Sequence, residues 1–387
     1  MRVLVAPDKF RGTLSARQAA EAVATGWRRA RPGDELDLAP MADGGEGTME
    51  ALVDALGGEV VRAAVHGPRG DPIDAAFGVA QTRDGRMAIV EMATASGLEL
   101  LARARRAPRL TTTRGTGELI RAALDRSPTR LIVGLGGSAT NDGGAGMAQA
   151  LGVRLLDAAE HELEVGGAAL LDLARIDTTG LDPRLRSLVC WAASDVDNPL
   201  TGPNGASAVY GPQKGASADD VLLLDRALAH LSAIVHRDMG IDLSDEPGAG
   251  AAGGLGFGLM AFLGARVRPG VEVVSDALGL PRRMESAELV ITGEGKLDAQ
   301  SLRGKTPAGV LQLAREWSVP AVVVCGEAEI GPSLLGVPVV SLVERFGRDA
   351  ALEDARRSLE HLAEELAGRA NELVAKAAGA GVAEEKP

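Results

Sequence analysis

Residues 134–144 read GLGGSATNDGG and form the stretch of the chain best equipped for chemistry. Five glycines in eleven residues let the backbone pass close to a ligand, because glycine accepts positive φ and carries no side chain. Ser138, Thr140, Asn141 and Asp142 set hydroxyl, amide and carboxylate groups beside that open backbone. An apolar run, 131–133, comes before it, and the pattern predicts a short helix over 145–151 that stops at Gly152. A helix N-terminus behind such a loop offers free N–H groups and partial positive charge, which suits phosphate. A tight turn uses only one or two glycines, so close approach of the main chain accounts for five better than turning does.

Acidic residues follow a second pattern. Residues 3–6 lead into Pro7-Asp8-Lys9, and 36–40 lead into Met41-Ala42-Asp43-Gly44. Residues 88–90 lead into Glu91, and 188–193 into Ser194-Asp195-Val196-Asp197-Asn198. Residues 289–292 lead into Gly293-Glu294-Gly295-Lys296-Leu297-Asp298, and 321–324 into Cys325-Gly326-Glu327. Continuous apolar strands between helices imply an α/β chain with buried, mostly parallel sheets. Acids just past strand C-termini lie where open α/β sheets hold their ligands.

The elements that must position these groups are signposted. Ser15 and Gln18 form a capping box for a helix over 16–31, ended by Pro32-Gly33. Ser217 and Asp220 open another that runs to about residue 237. Thr306 reads as an N-cap with Pro307 at the first helical position. Residues 349–378 read as one long amphipathic helix.

Length and composition bound the rest. The 387 residues imply two or three domains. A net charge of −12 with 2% aromatics lacks the basic, stacking surface of a nucleic-acid binder. The densest basic run, RARRAPR at 103–109, reads as a solvated helix end. Cys190 and Cys325 lie in apolar runs as buried thiols, which fits a reducing, cytoplasmic setting. No apolar stretch approaches the ~18 residues of a membrane span. The five histidines show no metal-ligand spacing. Gly304-Lys305-Thr306 resembles a P-loop end, but Ala299 stands where that motif needs glycine. Gly248, Gly250 and Gly253 match GxGxxG without the preceding strand a dinucleotide site requires.

GLGGSAT is similar to the GLGSSAA loop of the galactokinase–homoserine kinase superfamily, whose pattern does not include the acid-rich loops. A fuller resemblance spans essentially the whole chain. It is carried by APDKFRGTLSA (6–16), MADGGEGT (41–48), EMATASGLEL (91–100), TTTRGTGELI (111–120), GLGGSATNDGGAG (134–146), SDVDNPLTGPNGAS (194–207), YGPQKGAS (210–217), PGAGAAGGLGFGL (247–259) and ITGEGKLDAQSLRGKTP (291–307). In these blocks the chain resembles the bacterial type I glycerate kinases. The resemblance implies ATP-dependent phosphorylation of D-glycerate, with 2-phosphoglycerate as product. It also implies a flavodoxin-like domain from both chain ends, 1–65 plus 286–387, and an inserted α/β domain, 66–285, with the active site in the cleft between. Gly67-Pro68 and Gly279-Leu280-Pro281 would then serve as hinges. Family members commonly carry Ser and Lys where this chain has Lys9 and Arg11, and often a Gly-Ser pair near Gly326-Glu327.

Phosphoryl transfer needs a phosphate cradle, Mg²⁺ and a group that orients or deprotonates the acceptor hydroxyl. Asp195, Glu294 and Asp298 are candidates for metal and base, with Asp195 favoured as base and Asn198 near enough to share a metal or hydroxyl. Asp8 and Lys9 complete the catalytic set. The glycerate carboxylate calls for a cation, ideally a bidentate arginine. Arg11, Arg303, Lys9, Lys296 and Lys305 are candidates, and Asp8 and Asp43 could bind hydroxyls. Gly136, Gly137, Ser138, Thr140, Asn141, Asp142 and Lys305 would cradle phosphate, and the glycines of 250–258 would either approach substrate or pack tightly. The partners expected are D-glycerate and ATP, with the protein a monomer or homodimer and no nucleic acid or membrane involved. Another small-molecule kinase, or a non-catalytic nucleotide or hydroxy-acid sensor, is the alternative. Several carboxylates facing an anionic ligand serve catalysis better than mere binding.

Overall fold

Each of those apolar runs becomes a strand. A computed structural model describes residues 1–10, 12–45, 47–299, 301–302 and 305–380, with side chains up to residue 375. Its strands are β1 (Arg2–Pro7), β2 (Glu35–Leu38), β3 (Glu59–His66), β4 (Pro72–Thr82), β5 (Gly85–Glu91), β6 (Arg130–Gly134), β7 (Arg154–Leu156), β8 (Arg175–Asp177), β9 (Val189–Ala193), β10 (Arg266–Arg268), β11 (Leu289–Leu297), β12 (Ala321–Ala328) and β13 (Val339–Ser341).

The chain divides into two compact units, one of Met1–Asp43 with the chain from Val271 on, the other Gly44–Gly270. The crossings thus fall earlier than the expected 65 and 285. For the first crossing the reason lies in pairing: β3 and β4 form an antiparallel hairpin with His66 opposite Pro72, so Gly67-Pro68 turns a hairpin inside the second unit. At the ends of that unit Gly44 takes φ +84°, and a Cβ there would lie 2.6 Å from the Gly270 Cα. Only glycine fits this approach.

The first unit carries a fully parallel five-stranded sheet in the order β13-β12-β11-β1-β2. Renumbered within the unit, this is the flavodoxin-like order 2-1-3-4-5, whose switch point falls between β1 and β11. Val3, Val5, Leu289, Ile291, Val322 and Val324 bury one sheet face against Ala19, Val23 and Trp27 of the helix Ala16–Ala30 and Leu359, Leu362 and Leu366 of the helix Ala355–Gly368. The Ser15–Gln18 capping box forms as predicted.

The second unit has a six-stranded sheet in the order β10-β9-β6-β5-β4-β3. Strands β5, β6, β9 and β10 run parallel, while β4 is antiparallel to both neighbours. A small antiparallel pair, β7 and β8, stands apart. The helix Ala218–Met239 begins at the predicted Ser217–Asp220 box. Cys190 and Cys325 are buried free thiols. No helix among the described residues is long and apolar enough to cross a membrane.

Two helix assignments change. The tail is three helices, Arg348–Glu353, Ala355–Gly368 and Ala370–Ala380, broken where Asp354 leaves helical geometry (φ −133°, ψ 48°) and again at Arg369. Lys305, in extended geometry and with no side-chain cap bond, takes the N-cap position of the helix Thr306–Glu316, and the Thr306 hydroxyl is engaged elsewhere.

The contact between the helices Ala16–Ala30 and Ala355–Gly368 gives a direct test. A Cβ at Gly26 would lie 1.8 Å from the Glu360 carbonyl oxygen, a backbone atom that cannot move alone. In an open helix Gly→Ala stabilises by about 1 kcal/mol. Here overpacking reverses the sign, and Gly26→Ala lowers stability by about 1–3 kcal/mol. Denaturant titration against wild type measures it, and a stabilised variant would show that the two helices are not closely packed there.

Candidate active site

The first unit concentrates carboxylates where β1 and β11 end. Asp8 follows β1 directly, and its backbone N–H donates to the Gly293 carbonyl at 2.8 Å. Its side chain is buried; Oδ1 accepts from the Lys9 N–H at 2.6 Å and Oδ2 from the Thr306 hydroxyl at 2.7 Å. Burial, with the Asp43 carboxylate nearby, pushes the Asp8 carboxyl up to about 6, although the Thr306 and Lys9 hydrogen bonds oppose the rise.

Glu294 lies on β11 and is also buried. Its Oε1 has no hydrogen-bond partner among the described residues. Burial pushes it up to about 7; Asp8 and Asp298 add to the effect, while Ser301 and Lys305 oppose it. Asp298 is half-buried and turns the loop with Ser301: its N–H donates to the Ser301 hydroxyl at 3.0 Å, and its Oδ1 accepts from the Ser301 N–H at 3.3 Å. Lys9, Asp43 and Lys305 are half-buried around this set. Lys296 is exposed and pairs with Glu329 at 2.7 Å. Arg11 and Arg303 lie outside the described residues.

In the second unit the glycine-rich segment splits into a surface tip and a buried knot. Gly136 and Gly137 are exposed, and Ser138 is 8% exposed. Thr140, Asn141 and Asp142 are enclosed by protein. Asp142 Oδ2 accepts from the Thr113 N–H (2.8 Å), the Thr113 hydroxyl (3.0 Å) and the Gly146 N–H (3.3 Å), and Oδ1 accepts from the Gly144 N–H at 3.2 Å. The Thr113 hydroxyl oxygen takes the Met147 N–H at 3.0 Å. The expectation of free helix N–H groups for phosphate is therefore corrected. The helix Ala145–Ala150 spends its first-turn donors on Asp142 and Thr113. Asp142 is a carboxylate that caps a helix from inside, and burial raises its pKa.

The second glycine run resolves as tight packing. Ala252, Gly253 and Gly254 adopt left-handed geometry inside the helix Ala251–Leu263, and a Cβ on Gly253 would lie 1.9 Å from the Thr140 carbonyl. Asp195 follows β9, is exposed, and accepts from the Gly270 N–H through Oδ1 at 3.0 Å. Asn198 is committed to its own loop, donating to the Asn204 carbonyl (2.8 Å) and accepting from the Tyr210 hydroxyl (2.7 Å). Among the described residues no group of three His, Cys, Asp or Glu is arranged to hold a metal.

The chain as a whole is similar to a set of known proteins. The model of the glycerate kinase family matches residues 3–371. The chain belongs to that family. It is 51% identical to a glycerate kinase of Bacillus subtilis (strain 168), over 84% of this chain and 85% of that protein. To a glycerate 2-kinase of Escherichia coli (strain K12) it is 48% identical, again over 84% and 85%. A crystal structure of a protein assigned as glycerate kinase 2 from Salmonella typhimurium LT2 superposes with a TM-score of 0.88 at 44% identity, covering 96% of this chain and 98% of that one. This family membership accounts for the mixed α/β fold with its parallel sheets.

Some contributors escaped the sequence reading. Thr306 read as a cap, yet it orients Asp8. Thr113 sits inside the TTTRGTGELI block, and nothing in its spacing announced a bond to Asp142. Glu91 stood at a strand end like the others; it is buried and accepts from the Met49 N–H at 2.7 Å.

Both raised carboxyls carry a stability cost with a definite sign. Their folded pKa values exceed the ordinary 3.8 and 4.5, so the folded protein binds more protons than the unfolded chain between about pH 4 and 7. Stability therefore falls as pH rises through that window, and the full cost is present above it. Asp8→Asn or Glu294→Gln should stabilise by about 1–3 kcal/mol at pH 8 and by little at pH 4. Thermal melts at the two pH values measure this; equal gains at both would mean that ionisation is not the cause.

Proposed function

We propose that the protein transfers the γ-phosphoryl group of ATP to D-glycerate and releases 2-phosphoglycerate. The reading rests on Asp8 and Glu294, buried carboxylates held near neutral pKa at the switch point of the parallel sheet, in a chain of this family. The choice of the 2-hydroxyl is supported by the name of the Escherichia coli relative, glycerate 2-kinase.

In this reading the acceptor hydroxyl oxygen attacks the γ-phosphorus, the bond to the ADP oxygen breaks, and the hydroxyl proton passes to a carboxylate. A general base works best with a pKa near the operating pH. Asp8 meets that condition, and the Thr306 hydroxyl and Lys9 N–H fix the orientation of its two oxygens. We assign Asp8 as base ahead of Asp195, which is exposed and tied to Gly270.

Glu294 and Asp298 fit Mg²⁺. A buried carboxylate oxygen without a protein partner, beside a second carboxylate, is a hard donor set, and Mg²⁺ takes one or two carboxylates with phosphates and water. Bound there, the ion would neutralise charge on the phosphates of ATP. Lys9, Lys305, Arg11 and Arg303 are the cations assigned to the glycerate carboxylate and the phosphates. The tip 136–138 is assigned as a phosphate cradle, through the exposed backbone of Gly136 and Gly137.

Incubation with Mg·ATP and D-glycerate should yield ADP and a phosphorus NMR signal for 2-phosphoglycerate. A 3-phosphoglycerate signal would reverse the regiochemistry, and no ADP would remove the activity. Asp8→Asn should lower kcat by roughly 10²–10⁴-fold, the usual scale for a general base. A kcat near wild type would return the role to Asp195.

A further inference from the structure

Lys214 is one of the largest fully buried side chains in the protein, 1% exposed, and the mechanism above makes no use of it. It ends the short turn Pro212–Lys214 that precedes the helix Ala218–Met239. Its Nζ donates to the Thr140 carbonyl at 2.7 Å. Burial lowers the ammonium pKa to about 7, with the Asp142 carboxylate opposing the shift. Burying an ammonium costs several kcal/mol, and an apolar side chain of similar volume commonly serves stability as well or better. A lysine here calls for a reason other than filling space.

The reason lies in where that hydrogen bond falls. Thr140 stands between the exposed tip and the buried Asp142 knot. Either side of it the loop is held by the rest of the unit. Leu98 N–H donates to the Gly137 carbonyl (2.8 Å), Ala139 N–H to the Ser96 carbonyl (2.9 Å), and the Thr111 hydroxyl to the Ala139 carbonyl (2.9 Å). Gly143 N–H donates to the Gly253 carbonyl at 3.0 Å. At the junction itself one side-chain bond holds the loop, Asn141 Nδ2 donating to the Ser207 hydroxyl at 2.8 Å, and the other side-chain oxygens give no such support. Thr140 Oγ1 and Asn141 Oδ1 are both buried without a partner among the described residues. Gly253 packs so tightly on the Thr140 carbonyl that even a methyl group there would collide with it.

We propose that Lys214 is a positioning residue for phosphate binding: its buried ammonium clamps the Thr140 carbonyl and so fixes the tip 136–138. The clamp acts through the backbone, and Lys214 touches no substrate. Its catalytic purpose rests on the reading of 136–138 as a phosphate cradle.

Lys214→Met keeps the length and loses the donor. A hydrogen bond from a charged group is worth enough that its loss should change local equilibria by about tenfold or more. Hydrogen exchange in peptides covering 134–140 should therefore speed up about tenfold, with the helix Ala218–Met239 unchanged. The KM for ATP should rise by a similar factor, with kcat and the glycerate KM little altered. Lys214→Gln, which retains a neutral donor on a shorter stem, should fall between Met and wild type. Gly136→Val blocks the tip without touching the clamp and tests the cradle itself. A raised ATP KM for Gly136→Val beside a normal one for Lys214→Met overturns the clamp alone. Normal values for both overturn the cradle reading and the clamp's purpose with it. Faster exchange spread across the unit, or failure of both Lys214 variants to fold, would make Lys214 a general structural residue and overturn the local role.

Discussion

Two carboxylates buried near one another at adjacent strand ends govern what the first unit can be. Burial raises the cost of ionising both, the Asp43 carboxylate adds to it at Asp8, and Asp8 adds to it at Glu294. A fold tolerates this only where the surrounding backbone leaves no alternative placement. The parallel register supplies that condition. Pro7 lies opposite Gly293, so the residues that follow emerge together at the switch point. The strands behind them are apolar on both sides, and the helices Ala16–Ala30 and Thr306–Glu316 fix their ends. The core thus holds in place a pair that electrostatics alone would separate.

The second unit solves a different problem with the opposite sign. Asp142 is also a buried carboxylate, yet both its oxygens are filled by internal donors, and its work is structural. A helix as short as Ala145–Ala150 has little cooperative stability of its own, so a carboxyl group hydrogen-bonded to the N–H groups at its N-terminus is an effective anchor. That use consumes the donors a phosphate would need. What remains for a ligand is the peptide backbone of Gly136 and Gly137, outside the knot.

Much of this was legible in the sequence. Apolar runs before acids located the parallel strands, because a strand buried on both faces has to be continuous and hydrophobic. Capping boxes at Ser15 and Ser217 named two helix starts correctly. Less legible was anything set by distant pairing. The first crossing lies at Asp43–Gly44 and not near residue 65 because β3 pairs with β4 inside the second unit, a choice that no local signal at Gly67-Pro68 records. Thr306 misled for a similar reason: a threonine before proline looks like a cap, and only the tertiary fold brings Asp8 to its hydroxyl. The tail's breaks at Asp354 and Arg369 interrupt an amphipathic pattern that runs through them.

The glycine segment shows why residue type alone could not divide function from structure. Ser138, Thr140, Asn141 and Asp142 offer similar chemistry within five positions, and all read as phosphate ligands. Burial sorts them. Thr140 and Asn141 face inward beside the left-handed turn at Ala252, Gly253 and Gly254, a conformation that L residues such as Ala252 rarely adopt. That turn presses Gly253 against the Thr140 carbonyl, and the loop can pass only because glycine adds nothing there. The glycines of both runs therefore serve each other before they serve any ligand. The tip at Gly136 and Gly137 is rigid to the extent that this internal packing is, so in the proposed reading the phosphate-binding backbone is governed by buried residues behind it.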